Sequence, residues 1–266
     1  MMSEIKPPVV VLRTAGTNCD RETEFAFNLA GARAERLHVN VLRDDPGRLH
    51  EYQVLVLPGG FSYGDDLGAG KVLANELLTT LRDPIDRFLD AGKLIVGICN
   101  GFQVLVKTGL LPGFERWRQD VTLTFNDSHK FEDRWTYVQA PANRCVLVED
   151  GERLYLPVAH AEGKFVVRDE GVLQQLKERG QIIYRYTDPE GGSPEYPWNP
   201  NGSVDDIAGI CDPTGCILGM MPHPERHCLP VHDPRWPRRG LQEEGEGLRI
   251  FRRAVEFARD SMTAPA

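Results

Sequence analysis

The sequence predicts an α/β protein built on an open, doubly wound, mostly parallel sheet with an antiparallel elaboration. Three observations carry that prediction. The first hundred residues alternate short apolar runs with helix-like stretches, the pattern of repeated βα units. The run Leu94–Ile98 has almost no polar position, and a strand this apolar is usually covered on both faces, as in a parallel sheet. From about residue 121 to 210, short strand-like runs follow one another with few helical signals between them, which reads as antiparallel ribbons.

The β-branched run 8–12 fits a buried strand. Asn18 or Asp20 is placed to cap a following helix, whose apolar surface comes from Phe25, Phe27, Leu29 and Ala30. Gly31 suits its end. A second strand is expected over 34–42 and a third over 53–57, ending at Pro58-Gly59-Gly60. Helices are expected over 71–81 and 84–91, then a strand over 93–98 and a helix-like stretch over 102–109. In the second half, strands are expected over 121–125, 134–139, 145–149, 154–159, 164–167, 181–186, 207–211 and 216–221. Residues 187–203, rich in Pro, Gly and Asn, form a loop by composition, and 234–247 is polar and irregular. A helix over 248–258 presents Ile250, Phe251, Ala254, Val255 and Ala258 on one face. With no linker in view, residues 1–266 are expected to form one domain.

Composition narrows the function. The chain of 266 residues is 41% hydrophobic and 26% charged, enough for a proper core. Its net charge of −8 and lack of a dense Lys/Arg run argue against nucleic-acid binding. The amino-terminal stretch 1–8 is short and polar, unlike a secretory signal. No apolar run approaches the roughly 20 residues that span a bilayer. The six cysteines repeat no spacing and form no CxxC, which points to thiols in a reducing cytoplasm.

The chemistry centres on Gly97-Ile98-Cys99-Asn100-Gly101, between an apolar strand and a helix-like stretch. This is a G-x-C-x-G form of the nucleophile elbow, whose sharp strand-to-helix turn exposes a strained nucleophile at the sheet edge. Flanking glycines remove side chains that would clash there. The helix N-terminus supplies free N–H groups and partial positive charge, which favour an anion. The Asn100 N–H is aimed where an oxyanion would form. A buried core cysteine between two turn glycines is the competing reading.

A nucleophilic thiol needs a base nearby. Of seven histidines, His223 stands out, just past an apolar strand in Pro222-His223-Pro224-Glu225. Glu225 is placed to orient the imidazole, giving a triad of Cys99, His223 and Glu225. Two other readings compete: a turn histidine without a task, and a zinc site from His223, His227, Cys228 and His232. The two prolines oppose the helix that a His-x-x-x-His pair needs, so no metal is expected. At the end of the third strand, Gly59 and Gly60 allow close backbone approach, and Gly60 is expected to supply the second oxyanion N–H. No Lys-Ser or Lys-Thr follows, so a phosphate loop is disfavoured.

In order and type, these motifs resemble the class I, triad-type glutamine amidotransferases, whose sheet is flavodoxin-like. Further stretches are similar to the glutaminase subunits of phosphoribosylformylglycinamidine synthases. They include Gly16-Thr17-Asn18-Cys19-Asp20, Asn126-Asp127-Ser128, His160 with Glu162-Gly163, and Asn199-Pro200-Asn201-Gly202-Ser203. The resemblance spans about 9–226. It implies glutamine hydrolysis to glutamate and ammonia through a thioester on Cys99, with Gly59, Gln103, Asn126 and Ser128 as substrate contacts. It also implies an ATP-dependent synthetase partner in purine biosynthesis that takes the ammonia, and a small accessory subunit. No cofactor is expected in this chain, with ATP and magnesium on the synthetase. Ala161, Asp66-Leu67-Gly68 and the long segment 228–247 depart from the family pattern. A stand-alone cysteine γ-glutamyl hydrolase and a non-catalytic scaffold subunit remain as alternatives.

Overall fold

The computed structural model describes residues 5–263, so the start of the polar stretch read over 1–8 lies outside the described residues. In chain order the strands are β1 (Pro8–Arg13), β2 (Arg33–His38), β3 (Val54–Leu57), β4 (Leu94–Ile98), β5 (Val121–Thr124), β6 (Glu132–Gln139), β7 (Arg153–His160), β8 (Lys164–Val167), β9 (Ile182–Thr187), β10 (Ile207–Cys211) and β11 (Ile217–Met220). The helices are α1 (Asp20–Leu29), α2 (Val39–Asp44), α3 (Lys71–Glu76), α4 (Arg82–Asp90), α5 (Asn100–Thr108), α6 (Glu170–Glu178), α7 (Trp236–Arg239) and α8 (Leu248–Thr263).

Nine strands form one sheet in the order β2-β1-β3-β4-β11-β10-β9-β6-β7. The first five are parallel. The rest continue the same sheet antiparallel, so the elaboration is an extension of the sheet rather than a separate layer. Strands β5 and β8 pair apart from it. That small ribbon packs on α5, where Phe165 stacks on Phe102 with ring centroids 6.3 Å apart. On the far side α8 closes against α1 through an edge-on Phe27–Phe251 contact at 5.0 Å.

Within the parallel half, β1, β3, β4 and β11 are buried almost throughout, which is why their sequences are nearly all apolar. The last strand in sequence, β11, runs beside β4 with Gly219 opposite Gly97. An added Cβ at Gly219 would lie 2.2 Å from the Phe102 ring, so this glycine is what lets α5 seat on the sheet. Among the described residues, no helix is long and apolar enough to cross a membrane.

Several local expectations differ from the structure. The strand expected over 34–42 ends at His38, and residues 39–44 turn into α2. The His38 ring accepts a hydrogen bond from the Asn40 N–H at 3.2 Å, and that cap outweighs the β-branched sequence. Residues 145–149 form no strand, because the N–H groups of Arg144 and Val146 bond to loop carbonyls of Gly180 and Gly215. Between β8 and β9 an unexpected helix, α6, is capped by the Asp169 carboxylate on the Val172 N–H. Neither Asn18 nor Asp20 caps α1, since its cap residue is Cys19. The helices expected over 71–81 and 84–91 join through a π-helical turn, Leu77–Leu81.

Candidate active site

Cys99 stands between β4 and α5 with φ 51° and ψ −105°, a conformation that a side chain rarely adopts. Such a residue costs about 1–3 kcal/mol, so its surroundings must hold it. Its N–H donates to Met220 O at 2.8 Å, which ties the elbow to the end of β11. The flanking glycines are needed for space. A Cβ on Gly101 would lie 1.8 Å from Leu57 O, and one on Gly97 would lie 2.5 Å from the Leu105 side chain. The G-x-C-x-G pattern is thus a steric demand of packing α5 down on β3 and β4.

His223 follows β11, and its N–H is held by Pro157 O of β7 at 2.8 Å. Its Nδ1 lies 2.6 Å from Oε1 of Glu225, and both side chains are buried. Burial alone would pull the imidazole pKa down. The carboxylate of Glu225 and then the sulfur of Cys99 outweigh it and hold the pKa well above its ordinary value. Nε2 is buried and makes no aligned hydrogen bond, while the Cys99 sulfur is close enough to interact with the ring. The thiol itself points to Ala159 O at 3.7 Å. The structure therefore brings Cys99, His223 and Glu225 together from two neighbouring parallel strands. That arrangement is chemically able to form a thiolate–imidazolium pair, with the carboxylate fixing which ring nitrogen faces the sulfur.

Gly59 and Gly60 form the opposite rim. At φ 136° Gly60 is open only to glycine, and a Cβ there would lie 2.6 Å from Asn18 N. A Cβ on Gly59 would lie 2.8 Å from Cε1 of His223. The Asn100 side chain binds this rim to the elbow. Its Oδ1 accepts from Ser62 N at 3.1 Å, and its Nδ2 donates to Asp65 Oδ1 at 3.1 Å and Gln103 Oε1 at 3.0 Å. Gln103 also donates to Glu162 O at 2.6 Å. Gly60, Asp65, Cys99, Gln103, His160 and Glu162 line a small cavity of about 40 Å³.

Two of the expected substrate contacts are placed elsewhere. The Asn126 amide is fully engaged, donating to Lys130 O and His160 O and accepting from Gly163 N. The Ser128 hydroxyl donates to Glu132 at 2.5 Å. Neither residue lines the cavity: Asn126 holds the loop after β7, and Ser128 binds within the turn that leads into β6. Sequence reasoning gave no role to His160, whose pKa is lowered to about 3 by burial and then by the charge of His223. Its Nδ1 meets Asn126 Oδ1 at 3.1 Å. Cys19 was also missed, although its motif closes β1 as the Gly and Cys motifs close β3 and β4. It packs beside His223, and its sulfur accepts from Arg226 at 3.1 Å. Burial raises its pKa, opposed by a contact with His223. Among the described residues, no three of His223, His227, Cys228 and His232 bring their ligand atoms together around one point, so the zinc reading over 223–232 finds no support.

A family model described as a CobB/CobQ-like glutamine amidotransferase domain matches residues 6–258. The chain is a glutamine amidotransferase. Among relatives of this amidotransferase, phosphoribosylformylglycinamidine synthase subunit PurQ of Dehalococcoides mccartyi is 52% identical, over 97% of this chain and 99% of the relative. The corresponding subunit of Archaeoglobus fulgidus is 42% identical, over 96% and 97%. A solved structure of PurLQS from Thermotoga maritima matches 95% of this chain and 99% of its own with 31% identity and a TM-score of 0.72. The doubly wound reading of the sequence and its resemblance to this family are thereby borne out.

Proposed function

We infer that this chain is the glutaminase subunit of a phosphoribosylformylglycinamidine synthase, working in purine biosynthesis with a synthetase subunit and a small third subunit. The full-length relatives and the PurLQS neighbour support that reading. The observation that carries the chemistry is the Cys99 sulfur at the elbow, beside an imidazole that Glu225 holds at 2.6 Å.

In the mechanism we propose, the Cys99 sulfur attacks the side-chain amide carbon of glutamine. The N–H groups of Gly60 and Asn100 receive the developing oxyanion. The imidazolium of His223 gives its proton to the departing nitrogen, and ammonia leaves a glutamyl thioester. His223 then takes a proton from water, which attacks the thioester and releases glutamate and the thiol. Gln103 and Gly59 border the substrate. The cavity over Cys99 has room for about one water molecule, so glutamine must open it, and docking of the synthetase is suited to do so. ATP and magnesium belong to the synthetase, the compartment is the cytoplasm, and residues 1–266 act as one domain.

Copurification with the synthetase, with glutaminase assayed before and after mixing, tests the reading. A marked rise on mixing, lost in Cys99→Ala, is expected. Full activity of the isolated chain, unchanged by the synthetase, would instead identify a stand-alone hydrolase.

A further inference from the structure

Beside the triad lies a second thiol that the proposed mechanism does not use. Cys19, His223 and Glu225 each offer a ligand atom, these atoms lie within 4.8 Å of one another, and all three residues are buried. They are the only such trio of His, Cys, Asp or Glu among the described residues. We propose that this trio is a site for a thiophilic divalent cation of the zinc class, and that its occupation stops glutamine hydrolysis.

Four observations support it. First, the donors are one thiol, one imidazole and one carboxylate, a set that zinc accepts. Zinc bonds of about 2.0–2.3 Å put neighbouring donors about 3.3–3.8 Å apart, so atoms within 4.8 Å of one another need to close by at most about 1.5 Å. Second, Glu225 Oε2 is buried and has no hydrogen-bond partner. A buried carboxylate oxygen left bare is costly, and a cation would satisfy it. Third, the Cys19 sulfur and the His223 ring converge over Gly59 so closely that no side chain fits between them. A Cβ there would lie 3.1 Å from the Cys19 sulfur and 2.8 Å and 3.4 Å from Cε1 and Nδ1 of His223. Fourth, charge balances: a thiolate and a carboxylate offset the dication, and the imidazole is neutral.

On binding, Cys19 and the imidazolium each release a proton to solvent. The metal takes Nδ1 of His223 in place of its hydrogen bond to Oε1, and Glu225 turns Oε2 toward it. Arg226 opposes the cation, but its guanidinium also stabilises the Cys19 sulfur as an anion and is shared with Glu22 at 3.8 Å. The fourth position is open to water. An imidazole fixed in this way cannot pass a proton to departing ammonia. That inhibitory consequence rests on the proposed role of His223, whereas metal binding does not.

The test separates the two. Cobalt(II) is added to metal-free Cys99→Ala chain, in which the usual thiol of the site is gone. One equivalent should give a thiolate-to-cobalt absorption band that zinc displaces. Adding Cys19→Ser should remove the band and weaken zinc binding at least 100-fold, and an unchanged band would overturn the site. Should the double variant fail to fold, zinc-edge X-ray absorption on Cys99→Ala chain decides. One sulfur donor among nitrogen and oxygen supports the site, and no sulfur overturns it. In the assembled complex, zinc should stop the glutamine-dependent rate and spare the ammonia-dependent rate. The Cys19→Ser complex, scaled to its own metal-free rate, should need at least 10-fold more zinc. Equal sensitivity would place the metal on Cys99 and His223 and overturn the proposal.

Discussion

In the parallel half of the sheet, β3, β4 and β11 are buried at every position, while in the antiparallel half β6 and β7 alternate between buried and half-exposed positions. The first half delivers the proposed reacting groups. Cys99, Gly60 and His223 all emerge just past the carboxyl ends of its strands. The second half delivers a wall. Ala159 O, Glu162 O and buried His160 close over the thiol from the end of β7. Its outer face carries the stacked pair Trp135–Tyr155, and Arg235 lies 3.6 Å over the Tyr155 ring. Through Arg235 the segment 228–247 thus packs on the outer face of β6 and β7. The proposed reacting groups sit at the ends of fully buried strands, and the wall over them comes from a strand with a half-exposed face.

The contrast can be broken first at the nucleophile. Replacing Cys99 by Ala should lower glutamine-dependent turnover by at least about 10⁴-fold. The same complex fed with ammonia should keep its synthetase rate, and a parallel loss of both rates would mean that the variant disturbs assembly instead. Glu225→Gln should cost about 10²-fold in kcat. Because Glu225 helps hold the His223 pKa above its ordinary value, its loss should move the basic limb of the kcat/KM profile to lower pH. A reduced rate with an unmoved limb would deny Glu225 that electrostatic role.

Steric economy in the parallel half predicts that Gly101→Ala destabilises the chain by about 3 kcal/mol, read as a lower denaturation midpoint. The antiparallel wall should respond to pH. His160 has a folded pKa of about 3, below the unfolded value near 6.5, so it favours the native state only while neutral. Stability is fully present above about pH 6.5 and declines as pH falls toward 3, by about 1.4 kcal/mol per unit. At pH 5 this is a loss of about 2 kcal/mol, and thermal unfolding of His160→Asn should show a flatter dependence between pH 7 and 5. Ser128→Ala should change KM for glutamine less than about 2-fold, and a larger rise would return this residue to the substrate.

Strands β1, β3, β4 and β11 were readable because burial on both faces leaves one kind of residue at nearly every position, and the elbow was readable because G-x-C-x-G is demanded by contacts shorter than a methyl group allows. Cys99, His223 and Glu225 were placed on one site from motif and strand end alone. The second half was harder. Val146 and Val148 suggest a strand, yet their segment is stitched to two loops by hydrogen bonds that no local pattern encodes. Helix α6 was signalled by Asp169 before Val172, Leu173 and Leu176, a cap that was overlooked. Asn126 sits near the cavity in sequence terms but turns inward, because a buried amide must satisfy all its donors and acceptors.

Inserting β11 between β4 and β10 means that the proposed catalytic pair, Cys99 and His223, is split across more than a hundred residues. A nascent chain leaving the ribosome carries its thiol early, in an elbow whose neighbouring strand does not yet exist. The proposed pair of Cys99 and His223 is complete only once β11 lies in its slot beside β4.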